Sequence, residues 1–119
     1  MAISLTVEAV LVLAIKFIVR RSRPPGDWGA IYRNTDPHSF PSGHAARAWL
    51  LAVISAALGP AWFGLLLIFW APLVCFSRVV LGVHYLSDVL AGMIIGLTSG
   101  WAAVVLYPSI IANVPFLFR

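Results

Sequence analysis

The sequence predicts an all-α protein, a single membrane-embedded bundle of about four transmembrane helices. Three observations carry that prediction. Of the 119 residues, 61% are hydrophobic and only 10% are charged, a balance typical of bilayer proteins and not of soluble domains. The apolar residues gather into four runs near the length that crosses a bilayer, about 20 residues at ~1.5 Å rise each. Each run is bounded by charge or by helix-breaking residues. A soluble helical bundle is disfavoured, because too few charged residues exist to coat its outer face.

The first run covers residues 1 to 20 and ends in "RRSRPPGDWG", where Pro24, Pro25 and Gly26 stop a helix. No basic segment precedes it and no small-residue cleavage site follows it, so it is expected to stay in the protein. The second run begins after Pro41 and Gly43 and continues to about Leu58, where Gly59 and Pro60 supply a turn. The third spans residues 61 to 80, with Pro72 expected to kink it. The fourth spans residues 86 to 107, before a short tail ending at Arg119. No linker, repeat or low-complexity tract divides residues 1–119, so one domain is expected. Cys75 is the single cysteine and reads as a small core hydrophobe.

Alternating spans bring the end of the first run, the start of the second, the end of the third and the start of the fourth to one membrane face. Nearly all ionisable residues fall there. The net charge of +4 therefore points to phosphate or anionic lipid. Nucleic acid is not expected, since the basic residues sit between apolar runs rather than along a solvated face.

Three stretches carry chemistry. Lys16, Arg20 and Arg23 are spaced i, i+4 and i+7, so a helix reaching Arg23 would line them up as one cationic stripe. Snorkelling to lipid headgroups is the bland alternative. In "PSGH", Ser42 stands where an N-cap would be, and Gly43 lets backbone approach a ligand; His44 follows in the first turn. A helix start offers free N–H groups and partial positive charge to a phosphate. An ordinary capped helix with an interfacial histidine would look the same. In "SRVVLGVHYLSD", His84 and Asp88 are four apart. On one helical turn the carboxylate would fix the imidazole tautomer and leave the other nitrogen as a nucleophile. A helix-capping Asp88 is the alternative.

Lys16, six residues, Arg23-Pro24; Pro41-Ser42-Gly43-His44; Ser77-Arg78, five residues, His84, three residues, Asp88: jointly these resemble the three-part signature of the type 2 phosphatidic acid phosphatase superfamily, which also includes vanadium haloperoxidases. The match lacks no position. The resemblance implies phosphate-ester or diphosphate hydrolysis through a phosphohistidine, with no metal or other cofactor. It assigns His84 as nucleophile, Asp88 as its orienting partner, and His44 as the acid that protonates the leaving oxygen and later activates water. Lys16, Arg23, Arg78, Ser42 and the Gly43 backbone would hold the phosphate oxygens. Arg20 lies outside the signature and is a candidate extra phosphate contact. Glu8 sits mid-span, where an unpaired charge is costly, and the sequence names no partner for it.

Membrane members of the family resemble a six-helix plan of which the chain carries the last four helices, so a homo-oligomer or a partner membrane chain is expected to cover the open flank. Relatives place the site on the outer face. The arginines gathered there, Arg20, Arg21, Arg23, Arg33, Arg47 and Arg78, would by the positive-inside rule point it to the cytoplasm. Reading several of them as substrate ligands keeps the expectation of a plasma-membrane protein with an extracytoplasmic site. The segment "PPGDWGAIYRNTDPHSF", with Trp28 and Tyr32, is either a plain connector or a lid; Asp27, Asp36 and His38 receive no catalytic role. The leading function is an integral membrane lipid phosphatase acting on an isoprenyl diphosphate, phosphatidic acid or phosphatidylglycerophosphate. A non-catalytic subunit that binds lipid phosphate within a larger membrane complex is the alternative.

Overall fold

A computed structural model describes residues 1–25 and 37–113 and contains four helices in sequence: α1 (Ala2–Val19), α2 (Gly43–Leu58), α3 (Ala61–Val80) and α4 (Leu86–Asn113). Asp27, Trp28, Tyr32, Arg33 and Asp36 in the expected connector, and the tail ending at Arg119, lie outside the described residues. α1, α3 and α4 are long and apolar enough to cross a membrane. At 16 residues α2 is shorter than these three, about 24 Å of helix against a hydrocarbon core of ~30 Å.

α2 forms the centre. Ser42 caps it, its Oγ accepting a hydrogen bond from the Ala45 N–H at 3.3 Å. Alanine dominates its buried positions, among them Ala45, Ala46, Ala48 and Ala52. Such small side chains let neighbours come close. α4 answers with Gly92, Gly96 and Gly100, four apart on one face and all buried. A Cβ at Gly92 would strike the carbonyl oxygen of Ser42, and one at Gly96 that of Ala46. At Gly100 it would lie 2.9 Å from Val53 Cβ. This is the small-residue seam by which helices associate in lipid, where dispersion between closely approaching backbones replaces hydrophobic exclusion. α3 packs on the other side of α2, with Gly64 against the backbone of Ala56 and Ala71 in a cluster with Ala48 and Ala52.

Large apolar side chains point outward instead: Phe17, Ile18, Trp62, Phe69, Phe76 and Trp101 are all exposed. Buried positions hold Glu8, Lys16, Arg23, His84 and Asp88. That inversion is what a bilayer asks of a bundle.

Two expectations about element ends change. α4 runs six residues past Tyr107, through Pro108, to Asn113. A proline removes one ladder bond, which membrane helices tolerate, and the Asn113 side chain donates to the Ser109 carbonyl at 2.8 Å near the helix end. α1 stops at Val19, and Arg20 turns the chain with φ 52°. The helical stripe expected for Lys16, Arg20 and Arg23 is therefore not formed.

Candidate functional site

The turn between α3 and α4 positions the histidine. After Val80 the chain closes a Schellman cap: Gly82 takes φ +70°, its N–H donates to Val79 O at 3.0 Å, and the Val83 N–H donates to Arg78 O at 3.3 Å. Gly82 has the conformation that a side chain disfavours. The cap turns the chain within four residues, and His84 follows immediately.

Tyr85 immediately precedes α4, and Asp88 caps the helix by accepting the Tyr85 N–H at 2.8 Å on Oδ2. His84 thus lies in the turn before α4, not on one helical turn with Asp88. Its Nδ1 stands 3.6 Å from Asp88 Oδ2, longer than a hydrogen bond. The expected His84–Asp88 pair is an ion-pair-distance contact across a helix start, and the capping alternative is part of the same arrangement.

The other ring nitrogen settles the tautomer. Arg23 Nη1 lies 3.1 Å from His84 Nε2 and donates to Val83 O at 2.9 Å. A guanidinium can only donate, so Nε2 is the acceptor and the ring proton belongs on Nδ1, facing Asp88. Burial pushes the His84 imidazole down to about 4, with Arg23 acting in the same direction and Asp88 opposing. At neutral pH the ring is uncharged, with its Nε2 lone pair toward the cations.

Arg23 arrives by extended chain. Ser22 and His38 form an antiparallel bridge, and the Ser39 N–H donates to Arg21 O at 2.7 Å. Lys16, buried in the last turn of α1, donates to the His38 carbonyl at 2.8 Å. At the start of α2, the Ser42 N–H donates to Asp88 O at 2.9 Å, which ties the "PSGH" turn directly to α4.

A cavity of about 170 Å³ results, lined by Lys16, Arg23, Gly43, His44, Arg47 and His84 on its polar side and by Ala9, Val12 and Leu13 on its apolar side. Of the expected site residues, Lys16, Arg23, Gly43, His44 and His84 meet there. Asp88 stands behind His84, fully buried. Arg78, in the last turn of α3, is the foremost of the charges acting on His44. Ser42 is fully buried, with its hydroxyl engaged in the cap. Arg20 folds back on its own helix end, Nε donating to Phe17 O at 2.8 Å, and is exposed.

Two arginines that the sequence placed on this face without an individual role enter the site. Arg21 Nη1 donates to Asp88 Oδ1 at 2.9 Å and also bonds Ser87 Oγ. Its guanidinium lies over the rings of Phe40 and Tyr85, 5.5 and 5.4 Å from their centroids. Once α1 ends at Val19, the extended chain alternates by two, so Arg21 and Arg23 take one side together; that period was the available signal. Arg47 lies one turn beyond Gly43 and enters the cavity wall, a consequence of i+4 spacing on α2.

The PAP2 superfamily model matches residues 1–111. The undecaprenyl-diphosphatase of Sulfolobus acidocaldarius is 36% identical over 100 residues, covering 81% of the chain and 48% of that protein. The decaprenylphosphoryl-5-phosphoribose phosphatase of Mycobacterium tuberculosis is 42% identical over 96 residues, 78% of the chain and 51% of the relative. A lipid A 4'-phosphatase of Bacteroides thetaiotaomicron is 40% identical over 63 residues, 52% of the chain and 28% of the relative. The chain spans about half the length of the first two relatives. No solved structure gives a significant match.

Proposed function

The chain belongs to the PAP2 superfamily, and from that premise we propose that it is an integral membrane lipid phosphatase working through a phosphohistidine at His84. The observation that carries this is the pairing of an uncharged, buried His84, Nε2 3.1 Å from Arg23, with the cations of the same cavity. A lipid phosphate entering there replaces the histidine as the acceptor for Arg23 and leaves the Nε2 lone pair free to attack phosphorus. Asp88 stabilises the positive charge that forms on the ring. His44 protonates the leaving oxygen and then activates the water that releases phosphate. Lys16, Arg23, Arg78 and the Gly43 amide neutralise the phosphoryl oxygens, with Ser42 holding that amide in place through its cap. Phosphoryl transfer asks mainly for positioning and charge neutralisation, which such fixed donors provide.

Residues 1–119 act as one transmembrane unit. The site lies at the extracytoplasmic surface of the plasma membrane, and the flank that α1 and α3 leave apolar is covered by a second copy or another membrane chain. Substrates carry a terminal phosphate beside a lipid tail, of the isoprenyl diphosphate or phosphatidic acid type.

The test is phosphate release by detergent-solubilised protein in EDTA, offered isoprenyl diphosphate and phosphatidic acid separately, beside His84→Ala. Release lost in the variant is expected. A folded wild-type chain that binds these lipids and releases nothing would instead favour a non-catalytic lipid-phosphate-binding subunit.

A further inference from the structure

The cavity extends beyond what one phosphate needs. From Lys16 and His84 it continues along Val12, Leu13 and Ala9 of α1, facing Arg47 of α2. α1 buries a single stripe, Glu8, Val12 and Lys16, spaced so that Glu8 lies about 12 Å along the axis from Lys16. Glu8 is fully buried, and neither carboxylate oxygen has a hydrogen-bond partner among the described residues. The Arg47 guanidinium is folded back over the first turn of α2, where a Cβ on Gly43 would sit 3.1 Å from Nη2 and 3.3 Å from Nη1. An arginine therefore stands beside the helix start that receives the phosphate, and it does not belong to the three-part signature.

We propose that Arg47 is a specificity-determining residue that holds a second phosphate, adjacent to the one attacked by His84. The inference rests on the lipid phosphatase reading and narrows its substrate to a lipid diphosphate. It also moves the second-phosphate role from Arg20 to Arg47. In such a substrate the bond from His84 Nε2 to the terminal phosphorus forms as the bond from that phosphorus to the bridging oxygen breaks. The electron pair stays on the bridging oxygen, which departs as part of the lipid monophosphate. The departing phosphate gains one negative charge, and Arg47 lies where that charge grows. A monoester leaves instead as an alkoxide, which needs the proton of His44 and gains little from Arg47.

The full chain in detergent is assayed on a prenyl diphosphate and on the corresponding prenyl monophosphate. Arg47→Gln is expected to lower kcat/KM for the diphosphate about ten- to hundredfold, the span of one charge-assisted hydrogen bond. The monophosphate rate is expected to change by less than about threefold. Arg47→Lys is expected to recover part of the diphosphate rate. Equal losses on both substrates would overturn the proposal. If Arg47→Gln does not fold, Arg47→Lys alone carries the substrate comparison. If the wild type turns over neither lipid, the phosphatase reading fails, and the inference is read from thermal melts with inorganic pyrophosphate and phosphate. Tighter binding of pyrophosphate, lost in the Arg47 variant, supports it; equal binding of the two anions overturns it.

Discussion

Along the seam between α2 and α4, backbone meets backbone at Gly92 and Gly96, whereas α1 reaches the same bundle through Lys16, Val12 and Glu8. The two contacts carry different halves of the site. His44, His84 and Asp88 stand on or beside the seam, with the Ser42 N–H bonded to Asp88 O across it. Lys16 comes from α1, and Arg21 and Arg23 follow it on extended chain pinned by one bridge. Groups that make and break bonds thus rest where packing is closest. Lys16 and Arg23, two of the groups that hold the anion, rest on or directly follow an element that buries only Glu8, Val12 and Lys16. The contrast teaches that fine geometry is demanded of the nucleophile and its partner, while cations act over longer distances and tolerate looser support.

The sharpest way to break the comparison is to remove charge on the seam side. Asp88→Asn leaves Arg21 without its carboxylate and removes the group that favours a proton on His84 Nδ1. Phosphate release is expected to fall on the order of ten-thousandfold, with helical circular dichroism preserved. A small loss would mean that Arg23 alone sets the tautomer.

Packing comes next. Gly96→Leu drives a side chain into the Ala46 carbonyl and is expected to cost ~1–3 kcal/mol, read as a lower melting temperature in detergent. Val7→Leu, on the exposed face of α1, should leave the melt unchanged. If both melts stay put, the seam is not the stabilising contact.

Arg21→Ala is expected to lower kcat about tenfold, because the Asp88 carboxylate keeps the Tyr85 N–H as its one remaining hydrogen bond among the described residues. Arg21→Lys should recover less than half of that, since an ammonium cannot lie as a plane over Phe40 and Tyr85.

pH sharpens the contrast further. His84 is held down to about 4, so the acid-side loss of kcat/KM in the free enzyme should come as pH falls toward that value, not near the ordinary histidine range. The same depression makes the unfolded chain bind more protons between about 6.5 and 4. Stability contributed by the neutral ring is therefore complete above that window and is lost as pH falls through it. An activity limb near 6.5 would contradict the buried, Arg23-flanked imidazole. Smallest of all, Arg20→Ala should change turnover by less than about twofold, because that side chain is bonded to its own helix end.

Much of this was legible beforehand. Periodicity and helix breakers placed α1, α2 and α3 nearly to the residue, because Pro24, Gly59, Pro60 and the apolar runs act within a few positions of themselves. Lys16, Arg23, Gly43, His44 and His84 could be named from residue type and spacing. Arg20 was misplaced for want of one fact, the left-handed turn that ends α1 at Val19. Helical spacing had put Arg20 beside Lys16, and extended spacing put Arg21 and Arg23 there in its place.

By itself the sequence determined the helix-forming segments, the membrane-like inversion of polarity and the residue types available to bind phosphate, all properties of short windows of chain. Only the tertiary structure decided that Gly92 and Gly96 bring α4 onto α2, that His84 meets Asp88 at 3.6 Å across a helix start, and that Arg47 shares a cavity with Lys16. Those distances arise between elements far apart in sequence. They are set by how closely small residues let helices approach, a quantity no spacing along one helix contains.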